Sequence, residues 1–178
     1  MSVRFLVRAL LLRWIAIPLA SVCLVVTSAS AAILTFEANL DGLQEVPPNG
    51  SPGFGLGDFT LDTTTSNITV TTGTYQDLLG GATAVTLNDA AIGFNGPIAV
   101  ILTLDTPGAA TGTFSGNGLL TPGQVADLLA TNFYVNIRSQ VYPNGEIRGQ
   151  LFQVPEPSSI MLVGAGLAGL IVVRRRRK

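Results

Sequence analysis

FYVNIRSQVYPNGEIRGQLF, residues Phe133 to Phe152, reads as two β-strands joined by a tight turn. In Tyr142-Pro143-Asn144-Gly145 a proline stands where a type I turn needs φ of about −65°. A glycine follows where the bulge closing such a turn needs positive φ. This turn predicts Tyr142 opposite Glu146, Gln140 opposite Arg148 and Ile137 opposite Leu151. Phe133, Val135, Ile137 and Val141 then share one face with Ile147 and Leu151. Tyr134, Asn136, Arg138, Gln140, Glu146, Arg148 and Gln150 share the other. Turn chemistry and apolar alternation agree on the same register.

Outward from this hairpin the chain keeps the same character. Phe36, Ala38 and Leu40 line one face of a first strand, and the Pro- and Gly-rich stretch from Gly42 to Gly55 is a loop. Phe59 and Leu61 alternate with Asp58, Thr60 and Asp62; Ile68 and Val70 alternate with threonines; Val85 and Leu87 alternate with Thr86 and Asn88. Ile98 to Leu104 is more continuously apolar and is expected to be a central strand buried on both faces. Thr111 to Ser115 is a further short strand. Thr121, Pro122 and Gln124 supply an N-cap, a first helical position and a capping box, ahead of an apolar face of Val125, Leu128 and Leu129. Short strands separated by turn residues, with one helix, predict an all-β fold. The expectation is an antiparallel, Greek-key-like β-sandwich.

Both ends depart from this pattern. In residues 1–32, Arg4, Arg8 and Arg13 accompany an apolar run from Trp14 to Val26, followed by small residues. This reads as a secretory signal peptide, with an uncleaved anchor as the alternative. Residues 33–153 form the domain. In 154–178 an uncharged span from Ser158 to Val173 follows Val154-Pro155-Glu156-Pro157 and precedes Arg174, Arg175, Arg176, Arg177 and Lys178. As a transmembrane helix the span is about 24 Å long, and the basic end acts as a cytoplasmic stop-transfer signal.

Charge and residue types narrow the chemistry. Between Ile33 and Val154 only Arg138 and Arg148 are basic against ten acidic residues, a net charge of −8. Nucleic acid is excluded as a partner, because its phosphates need a basic footprint. There is no histidine, and Cys23 in the leader is the only cysteine. The domain therefore has neither a disulfide nor an imidazole or thiolate metal site, and no cofactor is expected. No serine-nucleophile elbow occurs.

The tail resembles the PEP-CTERM sorting signal of Gram-negative bacteria, through Val154-Pro155-Glu156-Pro157, the Gly-containing span and the Arg-rich end. The resemblance implies an exosortase, a membrane transpeptidase-like protease, as partner, and removal of the span. An inner-membrane intermediate would precede release to the cell surface or an exopolysaccharide-rich biofilm matrix. A permanent single-pass anchor is the alternative. The body resembles the CHRD domain over Phe36 to Phe152. The matching residues are Gly42-Leu43-Gln44-Glu45-Val46-Pro47-Pro48, Gly93-Phe94-Asn95-Gly96-Pro97, Tyr134-Val135-Asn136-Ile137 and Tyr142 to Leu151. That resemblance implies an extracellular β-sandwich module. The family often carries His-x-His near Val85 to Asn88 and a further histidine at Arg138. None is present here, so any imidazole metal site or oxidoreductase chemistry carried over from the family fails.

The functional expectation is an exported structural or binding module without intrinsic catalysis, with extracellular polysaccharide as one possible partner. Two alternatives are a carboxylate-based polysaccharide hydrolase using Asp58, Asp62, Glu37 or Glu45, and a weak Ca²⁺-binding surface protein. Asn136, Arg138, Glu146 and Arg148 form a candidate ligand-contacting surface patch. The competing reading makes Glu146 and Arg148 an exposed ion pair worth only about 0.2–1 kcal/mol.

Overall fold

The computed structural model describes residues 32–155 together with Gly166. The predicted signal peptide, apart from Ala32, lies outside the described residues. So do Glu156 and Pro157 of the sorting motif, the predicted transmembrane span apart from Gly166, and Arg174 to Lys178. Among the described residues no helix is long and apolar enough to cross a membrane.

Every predicted strand forms, and the alternation holds through most of them. The strands are β1 (Ile33–Asp41), β2 (Phe54–Asp62), β3 (Asn67–Gln76), β4 (Ala82–Asp89), β5 (Ile98–Leu104), β6 (Gly112–Ser115), β7 (Asn117–Leu119), β8 (Phe133–Ser139), β9 (Ile147–Gln150) and β10 (Phe152–Val154). Helix α1 (Pro122–Leu129) carries the predicted Thr121–Gln124 capping box. Its Leu128 is buried, but Leu129 is exposed, so the apolar face is narrower than the sequence indicates.

The strands close into a barrel rather than facing each other as a sandwich. The order is β1-β2-β3-β6-β5-β4-β8-β9, and β9 returns to β1 through Asp41↔Arg148. All neighbours are antiparallel. β7 continues β6 along β3 after Gly116, and β10 continues β9 along β1, pairing Phe36 with Gln153. A sandwich and a barrel demand the same period-2 pattern, so alternation does not separate them. Closure comes from the first and last strands meeting, which leaves no long edge unpaired. A bulge at Asp58/Phe59 and the facing pair Gly57↔Gly73 bend the sheet. A Cβ on Gly73 would lie 2.3 Å from the Phe114 carbonyl oxygen, so only glycine lets Phe114 pack there.

The core is the barrel interior, filled by Phe36, Phe59, Leu61, Leu87, Phe114 and Phe133 among others. β5 is not buried on both faces. Val100, Leu102 and Leu104 point inward, whereas Ile101 is 75% exposed. Its apolar run merely resembles a doubly buried strand; Ile101 forgoes the roughly 1.5–3 kcal/mol that burial brings.

The hairpin register also differs from the expectation. Ile137 pairs with Ile147 and Asn136 with Arg148, four residues from the predicted alignment. The Tyr142–Gly145 turn is present, with Gly145 N–H donating to the Tyr142 carbonyl at 3.2 Å, and Gly145 has φ 151°. It sits at the tip of a wider loop. The Tyr142 amide donates to Ser139 Oγ and the Gln140 amide to the Gly81 carbonyl, so the β8–β9 ladder ends at Ile137↔Ile147. Val141 therefore leaves the apolar face and is exposed. The shift is even, so the remaining side chains keep their predicted faces.

Candidate functional site

Tyr134, Asn136, Arg148 and Gln150 point out of the barrel, as alternation requires, yet they are buried. Two loops, residues 42–50 and 90–97, cover them. The first loop is shaped by its own polar groups. Gln44 N–H donates to Asp41 Oδ1 at 2.9 Å, and Asn49 N–H donates to the Gly42 carbonyl at 3.0 Å. Asn49 Nδ2 then reaches across to the Glu146 carbonyl at 3.0 Å. Between loops and barrel lies a polar layer rather than an apolar one.

Arg148 is its centre, 2% exposed, with its guanidinium carbon 3.5 Å from the centroid of the Tyr134 ring. Nη1 donates to the Phe94 carbonyl at 2.9 Å and to Asn95 Oδ1 at 3.4 Å; Nη2 donates to the Ala91 carbonyl at 3.4 Å and to Gln150 Oε1 at 3.2 Å. Gln150 Nε2 donates to the Thr131 and Ala90 carbonyls. Asn95 Nδ2 donates to the Val46 carbonyl at 2.7 Å, which ties the two covering loops together.

The predicted surface patch is therefore not a surface. Asn136, Glu146 and Arg148 are buried and Arg138 is half-buried. Nor do Glu146 and Arg148 form the exposed pair of the competing reading. Glu146 Oε1 accepts from Ser51 Oγ at 2.6 Å and from Leu79 N–H at 2.5 Å, while Arg148 turns to the other loop. Asn136 Oδ1, Arg138 Nε and Glu146 Oε2 are buried without a hydrogen-bond partner.

Glu45, named from the sequence only as one of several candidate carboxylates, is the buried acid of this layer. It sits in the first loop, 6% exposed, and accepts from Asn136 Nδ2 at 3.2 and 3.4 Å. Burial pushes its carboxyl up to about 7, against the pull of Arg148, the Val46 amide, Asn136 and Arg138. Its sequence signal was its place inside the matching stretch Gly42-Leu43-Gln44-Glu45-Val46-Pro47-Pro48.

The other acidic candidates are scattered. Asp62 Oδ1 accepts from the Thr64 and Thr65 amides as a turn cap, which holds its carboxyl below the usual range. Glu37 is paired across the strands with Asp58 on β1 and β2, whereas Glu45 sits in the loop that follows β1. Among the described residues, no three His, Cys, Asp or Glu side chains gather as a metal-holding group.

A raised carboxyl makes stability depend on pH in a defined direction. The folded state holds the Glu45 proton more tightly than the unfolded chain, so stability is greatest below about pH 4.5 and falls as pH rises toward 7. The loss amounts to about 3 kcal/mol for a rise from 4.5 to about 7. In Glu45→Gln that component is absent, and the variant gains on the wild type between pH 5 and pH 8. Urea midpoints of both proteins across this range isolate the difference. Parallel curves would mean that Glu45 is solvated.

Residues 36–151 match the family model described as CHRD domain, and residues 153–177 match the model described as PEP-CTERM protein-sorting motif. Comparison with curated proteins and with solved structures yields no match.

Proposed function

Because this chain belongs to the CHRD domain family and carries a PEP-CTERM protein-sorting motif behind that domain, we propose that it is an exported structural or binding module. In this reading an exosortase recognises and cuts the tail, and the barrel remains at the cell surface or in the extracellular matrix of a Gram-negative bacterium. In this reading the module has no catalysis of its own: Arg148 and Gln150, at the centre of its buried layer, bond each other and the covering loop. Extracellular polysaccharide is its proposed partner.

The observation that carries the reading is the junction between barrel and tail. β10 pairs with β1 as far as Thr35↔Val154, and the next residue is Pro155, which has no N–H to extend the ladder. The sorting motif starts where the last barrel pairing ends, so cutting beyond it leaves the barrel whole. Pro155 and Pro157 favour extended, unpaired backbone that a membrane protease can reach.

Replacing Pro155-Glu156-Pro157 by alanines is expected to leave the chain inserted and uncut, at full tail mass. Intact mass combined with fractionation, in hosts with and without the sorting protease, reads this out. If the wild-type chain keeps Lys178 in both hosts, the tail is a permanent anchor.

A further inference from the structure

Two cavities meet at Glu45. The smaller, about 230 Å³, is lined by Glu45, Pro47, Pro48, Tyr142, Asn144 and Gly145, with Asn49 and Asn95 behind them. The larger, about 460 Å³, has Leu43, Val46, Ile92 and Phe152 as walls, and Arg148 and Gln150 beside Glu45. The Asn49 and Asn95 amides are occupied within the protein, the first by the Glu146 carbonyl and Ser51 N–H, the second by the Val46 carbonyl. Glu45 is different. Its two oxygens offer about four acceptor positions, and only the Asn136 amide and the Val46 backbone draw on them. A deeply buried carboxylate with acceptor capacity left over thus borders both cavities.

The surrounding charges decide what such a group can take. Arg138 from β8 and Arg148 from β9 act on Glu45, and of the two Arg148 lines the larger cavity beside it. In the larger cavity one positive and one negative group balance. A cationic ligand would meet Arg148 and an anionic one Glu45, so the complementary ligand is uncharged and rich in hydroxyl donors. The flanks of the smaller cavity are the ring of Tyr142 and the prolines Pro47 and Pro48, which suit a C–H face rather than a polar one.

We propose that this double cavity binds a neutral saccharide. One pyranose ring occupies the smaller cavity, its hydroxyls donating to Glu45 and its C–H face lying against Tyr142, and the chain continues over the larger cavity. The proposal rests on the binding-module reading and gives it a site. An ionised carboxylate accepts stronger hydrogen bonds than a protonated one, and Glu45 changes state near neutral pH. Affinity is therefore lower at pH 6 than at pH 8, by up to about tenfold.

The test titrates the full chain calorimetrically with maltose, cellobiose and N,N′-diacetylchitobiose, with digalacturonate and hexylammonium as charged comparisons. At least one neutral disaccharide binds, and more tightly than either charged compound. Tyr142→Ala, at a loop tip, weakens that binding about tenfold. Glu45→Gln weakens it at pH 8 and abolishes the difference between pH 6 and pH 8, with circular dichroism reporting that both variants are folded. Absence of binding by all three neutral sugars, tighter binding of a charged compound, or unchanged affinity in Tyr142→Ala overturns the proposal. A chain that is cut and exported normally but binds no sugar sinks this inference alone; one that binds sugar but is never cut sinks the sorting reading alone.

Discussion

Arg148→Met is expected to lower folding stability by about 3–5 kcal/mol, the range found when one partner of a buried charged network is removed. Methionine retains much of the stem volume but no donor. The carbonyls of Phe94 and Ala91, Asn95 Oδ1 and Gln150 Oε1 lose the guanidinium that bonds them. Each buried acceptor left without a donor costs about 1–3 kcal/mol, reduced where water can enter. The ring of Tyr134 also loses its cation. Glu45 loses the largest charge holding its carboxyl down, so it rises further and the fall in stability with pH extends to higher pH. Arg138→Met, at a half-buried position, is expected to cost about 1 kcal/mol or less. Urea melts of the two variants at pH 7 provide the comparison. Equal midpoints would mean that the layer beneath the loops is not held by Arg148.

Gly145→Val is expected to cost about 3 kcal/mol or more, through backbone strain and overpacking acting together. At φ 151° the backbone is in a region that β-branched residues avoid. A Cβ there would also stand 2.6 Å from Asn136 Nδ2 and from Glu45 Oε1, and 2.7 Å from Glu45 Oε2. The carboxylate and the amide pack directly on the glycine, so the substitution forces apart the loop that carries Glu45 and the strand that carries Asn136. Asn136→Ala removes a hydrogen bond to Glu45 but adds no atoms, and is expected to cost about 1–2 kcal/mol. Midpoints that coincide would show that the loop yields to the added side chain without strain.

The same residues show where reading the chain succeeds and where it stops. The Tyr142–Gly145 turn and the Thr121–Gln124 capping box follow from torsions and hydrogen bonds within a few residues, and both were legible. The hairpin register was not, because the hydroxyl of Ser139 and the carbonyl of Gly81 take amides that a simple hairpin would pair across the strands. Gly81 is distant in sequence, and nothing near Gln140 announces it. The face assignment survived because the slip was even.

By itself the sequence determined that the chain is all-β with one capped helix, which side chains share a strand face, and that the domain is acidic and has no histidine or cysteine. It also carried the sorting motif at its end. These properties depend on period, torsion preference and composition, all of which are local. Tertiary structure alone decided that β1 meets β9 and β10 to close a barrel, since barrel and sandwich require the same alternation. It alone decided that the outward face bearing Asn136, Glu146 and Arg148 is covered. Alternation says which side of a sheet a residue takes, but not whether water or another loop lies beyond it. Desolvation by that cover is what raises the Glu45 carboxyl, and desolvation exists only once distant segments have packed together.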